Sequence, residues 1–175
     1  MHLLIALAVH ETAHMLSAVL LKIKFHKVKI TIFGFNLNAD TENLLFAKKI
    51  ILFLAGPFIN LCLYFIFVDT LYESFANANI FLCIVNMIPI VPLDGGNICK
   101  SILEIFLDLN SVCRYMIMTN TFFIVCFMVI IYIYKNYLYF LLIMMALKGI
   151  LEENRCLIEK SIRNNYTVMR IRNRK

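Results

Sequence analysis

The chain has 175 residues, 62% hydrophobic and 16% charged, with a formal net charge of +6. Its mean hydropathy of +0.81 lies far outside the range of soluble globular domains and fits a polytopic membrane protein. The positive charge clusters beside apolar runs, at Lys22, Lys24, Lys27 and Lys29, at Lys48 and Lys49, and at Arg170, Arg172, Arg174 and Lys175. It therefore reads as cytoplasmic anchoring at a lipid bilayer, with no nucleic acid as partner.

The first apolar run, Leu3–Leu21, carries His10-Glu11-Thr12-Ala13-His14. Ionisable groups inside a span cost roughly 2.5–3.5 kcal/mol each on insertion scales, so their presence marks a functional site by default. On a helix two histidines four positions apart project from one face, about 6 Å from each other, with Glu11 beside them. That pattern suits two imidazoles sharing a zinc ion, with a carboxylate placed to take a proton from water. The run has the length of a signal peptide but lacks a basic start and a small-residue cleavage site, so it is expected to be retained.

Between the first and second runs, Val28-Lys29-Ile30-Thr31-Ile32 alternates apolar and polar residues and is followed by Phe33-Gly34-Phe35. This predicts a small β-hairpin near the membrane surface, either capping the helices or offering an edge to an extended substrate segment. The apolar runs then predict about five transmembrane helices in all: Leu3–Leu21, Ile50–Val68, Phe75–Val91, Tyr115–Tyr134 and Tyr137–Leu151. The expected fold is thus an all-α polytopic membrane protein with residues 1–151 as its core and residues 152–175 as a basic cytoplasmic tail. Glu152, Glu153 and His26 read as solvated surface charges beside the membrane.

Inside the second run, Ala55-Gly56-Pro57 places small residues where helices pack closely, and Asn60 offers an amide that could hydrogen-bond across to the site. The third run breaks down over Asn86-Met87-Ile88-Pro89-Ile90-Val91-Pro92-Leu93-Asp94-Gly95-Gly96, because prolines and glycines cannot sustain a regular helix. Irregular backbone at membrane depth survives only where protein or a water-filled cavity satisfies it. Asp94 taken alone reads as a helix cap, and taken with His10 and His14 as a third metal ligand. The six cysteines show no CxxC spacing, so neither a disulfide framework nor a thiolate zinc site is signalled.

The pairing of HExxH with the Ala-Gly-Pro element and the Asn86–Gly96 segment resembles the site-2 protease family of intramembrane zinc metalloproteases. The compact subgroup that processes a membrane-associated pro-sigma factor during sporulation is the most similar, since the interval from His14 to Asp94 leaves no room for an inserted PDZ domain. By that resemblance His10, His14 and Asp94 would hold one Zn²⁺ per chain, Glu11 would be the general base, and Asn60, Asn86 and Pro92 would shape the substrate groove. The resemblance also implies a multi-pass cell-membrane location with the active site opening to the cytoplasm, in the membrane surrounding the forespore. Its implied partners are the pro-sigma substrate and inhibitory membrane proteins. Ala13 departs from the glycine usual in relatives, and the first family helix is expected to be missing at the N-terminus. The competing readings are a metal-ion transporter, which would need more acidic or histidine residues along a path through the membrane, and a catalytically impaired membrane scaffold.

Overall fold

The structure is a computed structural model that describes residues 1–23, 25–31, 34–39, 44–137 and 139–172, with side chains for 1–23, 44–137 and 139–162. The expected bend at Phe33, the side chains of Lys24, His26, Lys27 and Lys29, and those of the tail from Arg170 to Lys175 lie outside the described residues. The chain divides into two compact units, one of Met1–Ile88 with Leu93–Ile102, the other of Pro89–Pro92 with Leu103–Lys175.

The first unit holds α1 (His2–Leu20), strands β1 (Phe25–Thr31) and β2 (Gly34–Ala39), α2 (Phe46–Phe67), α3 (Glu73–Asn86) and the start of α4 (Asp94–Phe106). Helix α1 buries every fourth residue, Ala6, His10, His14 and Ala18. Helix α2 answers with Leu52, Gly56 and Asn60, a stripe of the same spacing. Ridges at four-residue spacing allow two helices to interlock, and the small Ala and Gly side chains bring the backbones close.

Helix α1 stops without a glycine. Lys22 takes a left-handed φ of 54°, its N–H donates to the Val19 carbonyl at 3.0 Å and the Ile23 N–H donates to the Ala18 carbonyl at 3.0 Å. These are the two bonds of a Schellman stop, and Ile23 completes it by burying against Ala18 and Leu52. The reversed chain then forms the antiparallel β1–β2 ladder, with Lys29 opposite Asn36 and Thr31 opposite Gly34.

The second unit holds α5 (Leu109–Tyr134) and α6 (Tyr139–Arg172). Asp108 caps α5, accepting from the backbone N–H of Asn110 at 3.1 Å and the hydroxyl of Ser111 at 2.6 Å. Asn120 of α5 is fully buried and ties the Pro89–Pro92 segment to this unit. Its Oδ1 accepts from the Val91 N–H at 3.2 Å, while its Nδ2 donates to the carbonyls of Val91 at 3.0 Å and Ala146 at 3.2 Å.

Among the described residues three helices, not five, are long and apolar enough to cross a membrane: α1, α2 and α5. The third expected span fails because α3 ends at Asn86, before the prolines at 89 and 92. Its 14 residues reach about 21 Å, short of a hydrocarbon core of about 30 Å. The fifth fails because only Tyr139–Leu151 of α6 is apolar, Lys148 interrupts even that stretch, and Glu152 and Glu153 follow. Glu153 also departs from the surface role expected of it, being 2% exposed. The outward faces of the three long helices carry exposed Leu4, Leu20, Phe58, Phe65, Met118 and Phe122, apolar surface that a bilayer would cover.

Candidate metal centre

Two helices of the first unit bring three side chains to one point. His10 and His14 come from the buried stripe of α1, and Asp94 from the first turn of α4. His10 Nε2 lies 3.1 Å from Asp94 Oδ2 and 3.1 Å from His14 Nε2, while His14 Nε2 lies 3.2 Å from the same Oδ2. Both histidines are buried, at 2% and 7% exposed.

The opposite edge of each ring is held by α2. His14 Nδ1–H donates to the Leu52 carbonyl at 2.8 Å, and the Asn60 amide stands 3.0 Å from His10 Nδ1. Donation from Nδ1 leaves the neutral His14 ring with a lone pair on Nε2, facing a carboxylate oxygen that also offers lone pairs. That contact is favourable only with a cation or a proton between the two atoms.

The donor set fits zinc. Ligands at tetrahedral angles on bonds of about 2.0–2.1 Å stand about 3.3–3.4 Å apart. The three converging atoms here form a triangle with sides of 3.1, 3.1 and 3.2 Å, close to that spacing. They are the one group of three or more His, Cys, Asp or Glu side chains among the described residues with ligand atoms near enough to share an ion. Two imidazoles and one carboxylate leave the fourth tetrahedral position to water or substrate, the pattern of a catalytic rather than a structural site.

Two glycines set the distances. A Cβ at Gly56 would collide with His14 Nε2 and come within 2.7 Å of His10 Nε2, so α2 can lie against the histidine pair only without a side chain there. A Cβ at Gly95 would collide with the Met87 carbonyl, so glycine lets the start of α4, and with it Asp94, pack on the end of α3. Neither the glycine contacts nor the Leu52 carbonyl follow from the sequence reading. Gly56 stood out there only as a packing residue, and a backbone carbonyl carries no residue signature.

Glu11 follows His10 on α1 and is half-buried. Asn60 is fully buried and stands against His10. Asn86 donates to the Leu82 carbonyl of its own helix at 3.1 Å. Pro92 follows a cis peptide in the Pro89–Pro92 segment of the second unit.

A family model described as "Peptidase family M50" matches residues 66–131, a stretch that contains Asp94 but not the two histidines. No curated protein sequence matches. Among solved structures, the "Site-2 Protease from Methanocaldococcus jannaschii" superposes with a TM-score of 0.62 at 19% identity, over 88% of this chain and 74% of that one. The chain has the fold of a site-2 protease. Together with the M50 match, this fold supports a metalloprotease, and the three long apolar helices suggest one that sits in a membrane.

Proposed function

We propose that this chain is a zinc-dependent endopeptidase that hydrolyses a peptide bond within or beside the membrane, in a membrane-associated regulatory protein. The observation that carries the reading is the convergence of His10, His14 and Asp94 on one point inside an apolar helical unit. Zinc, when bound, would acidify a water molecule and polarise the scissile carbonyl. Nε2 of each histidine and Oδ2 of Asp94 would hold the ion, and the buried hydrogen bonds behind the rings would keep them aimed. Glu11, one position after His10, would take the proton of the attacking water and deliver it to the nitrogen of the departing amine.

A helical substrate hides its amide bonds and must unwind before attack. The β1–β2 ladder has strand edges that suit pairing with such an extended segment. Resemblance to the compact sporulation subgroup supports a pro-sigma factor as substrate, with the active site opening to the cytoplasm, a location in the membrane around the forespore, and inhibitory membrane proteins as regulators. The transporter reading is disfavoured because the described metal-binding groups form one isolated cluster rather than a path.

The test is co-expression with a membrane-associated pro-sigma factor, comparing wild type with Glu11→Gln by product mass. Cleavage by wild type alone supports the reading; cleavage at an unchanged rate by Glu11→Gln contradicts the role of the base.

A further inference from the structure

We propose that Asn60 is a positioning residue for the metal centre. Its Oδ1 accepts a hydrogen bond from Nδ1–H of His10 and so directs the lone pair of His10 Nε2 at the ion. The inference rests on the zinc reading above and assigns Asn60 a role distinct from substrate binding.

The Asn60 side chain is fully buried in the middle of an apolar helix, where an amide is costly unless its hydrogen bonds are made. As placed, Nδ2 is the end that meets His10 Nδ1, at 3.0 Å. The other end, at Oδ1, is buried and meets no partner. An amide has nearly the same shape when turned end for end, so the hydrogen-bond network decides which atom faces the ring.

The two senses have opposite consequences for the ring. If the amide donates through Nδ2, His10 Nδ1 must carry a lone pair and the proton of the neutral imidazole sits on Nε2. That proton points at Asp94 Oδ2, 3.1 Å away, and the ring cannot ligate a metal. If the amide accepts through Oδ1, the proton sits on Nδ1 and the Nε2 lone pair joins that of His14. The neighbouring histidine is already arranged in this way, with Nδ1–H on the Leu52 carbonyl at 2.8 Å. Helix α2 then supplies one acceptor to each ring, from positions 52 and 60, with Gly56 midway between them giving room for both Nε2 atoms. A side-chain acceptor is needed at 60 because the carbonyls of a helix interior are engaged in the helix itself, and the one at Leu52 escapes this only by sharing.

The experiment measures zinc affinity of the full chain in detergent, by competition with a chelator of known affinity, and the visible spectrum of the Co²⁺-substituted protein. Asn60→Asp keeps an acceptor and discards the donor; Asn60→Leu keeps the approximate volume and discards both. The proposal expects Asn60→Asp to bind zinc about as tightly as wild type, with an unaltered Co²⁺ spectrum. It expects Asn60→Leu to bind about 10–100-fold more weakly, the usual cost of losing an outer partner of a ligating histidine. Equal affinity for wild type and Asn60→Leu would overturn it. So would loss of zinc in a folded Asn60→Asp, since that result would make the donor the essential atom, and this arm decides the matter even if the leucine variant does not fold. A wild type that binds no zinc would instead overturn the underlying zinc reading, and is recognised before any variant is compared.

Discussion

His10 and Asp94 are 84 positions apart in the chain, yet His10 Nε2 lies 3.1 Å from Asp94 Oδ2. The contact brings the middle of α1 to the first turn of α4, and His14 reaches the same oxygen at 3.2 Å. One carboxylate oxygen thus serves two imidazoles, and the rings themselves stand edge to face with centroids 4.8 Å apart. The close approach of three electron-rich atoms depends on the helices being held together from behind, and that dependence can be tested away from the ligands.

Gly56 is the first such place. Gly56→Ala puts a methyl group against both Nε2 atoms, so α2 must move away from α1 or the rings must turn. Overpacking of this kind costs about 1–3 kcal/mol. The expected outcome is a lower thermal midpoint in detergent together with reduced zinc content, measured on the same sample. Retention of both would show that the two helices can separate without disturbing the site.

Asn120 supports the second unit in a similar manner. Asn120→Leu removes the partners of the Val91 N–H and carbonyl together, in a buried setting. Each buried group left without a partner costs about 1–3 kcal/mol, so the variant should be distinctly destabilised. Thermal unfolding followed by circular dichroism reads this directly, and an unchanged midpoint would mean that other groups replace the asparagine.

Asp108 gives a dependence on pH. The Ser111 hydroxyl, and then the backbone N–H groups of Ser111 and Asn110, hold its carboxyl below the ordinary carboxylate range despite slight desolvation. With the folded pKa depressed, its contribution is fully present above the unfolded value of about 3.9 and is lost as pH falls through the folded value. Amide exchange at the start of α5 should therefore quicken in acid, and Asp108→Asn should remove that acid-dependent part while keeping a cap. An identical acid response in Asp108→Asn would assign it to other groups.

Much of the centre was legible in the sequence, for identifiable reasons. His10 and His14 are separated by one helical turn within an apolar run, a signal that survives without any tertiary information. Asp94 was legible because Pro89 and Pro92 before it and Gly95 and Gly96 after it interrupt a hydrophobic stretch. The supporting contacts were not: the Leu52 carbonyl is backbone, and the close packing at Gly56 exists only when two helices meet. Asn60 was conspicuous as an amide in apolar surroundings able to bond across to the site, but which ring atom it meets depends on how α1 and α2 align. The spans were overcounted because hydrophobicity extends past the point where α3 ends before Pro89 and Pro92, and because the apolar part of α6 stops at Leu151. Glu153 was misread because an acidic pair after an apolar run resembles a solvated helix face, whereas packing between α5 and α6 encloses it.

The most direct test of the central claim is the zinc content of the purified full chain, by elemental analysis after dialysis against trace zinc, for wild type and Asp94→Asn. If His10, His14 and Asp94 form one metal centre, wild type retains one zinc per chain. Asp94→Asn, which keeps the shape but weakens the ligand, should then lose more affinity than the roughly 10–100-fold typical of an outer partner. A wild type without zinc, or an Asp94→Asn variant that holds it as tightly, would contradict the account.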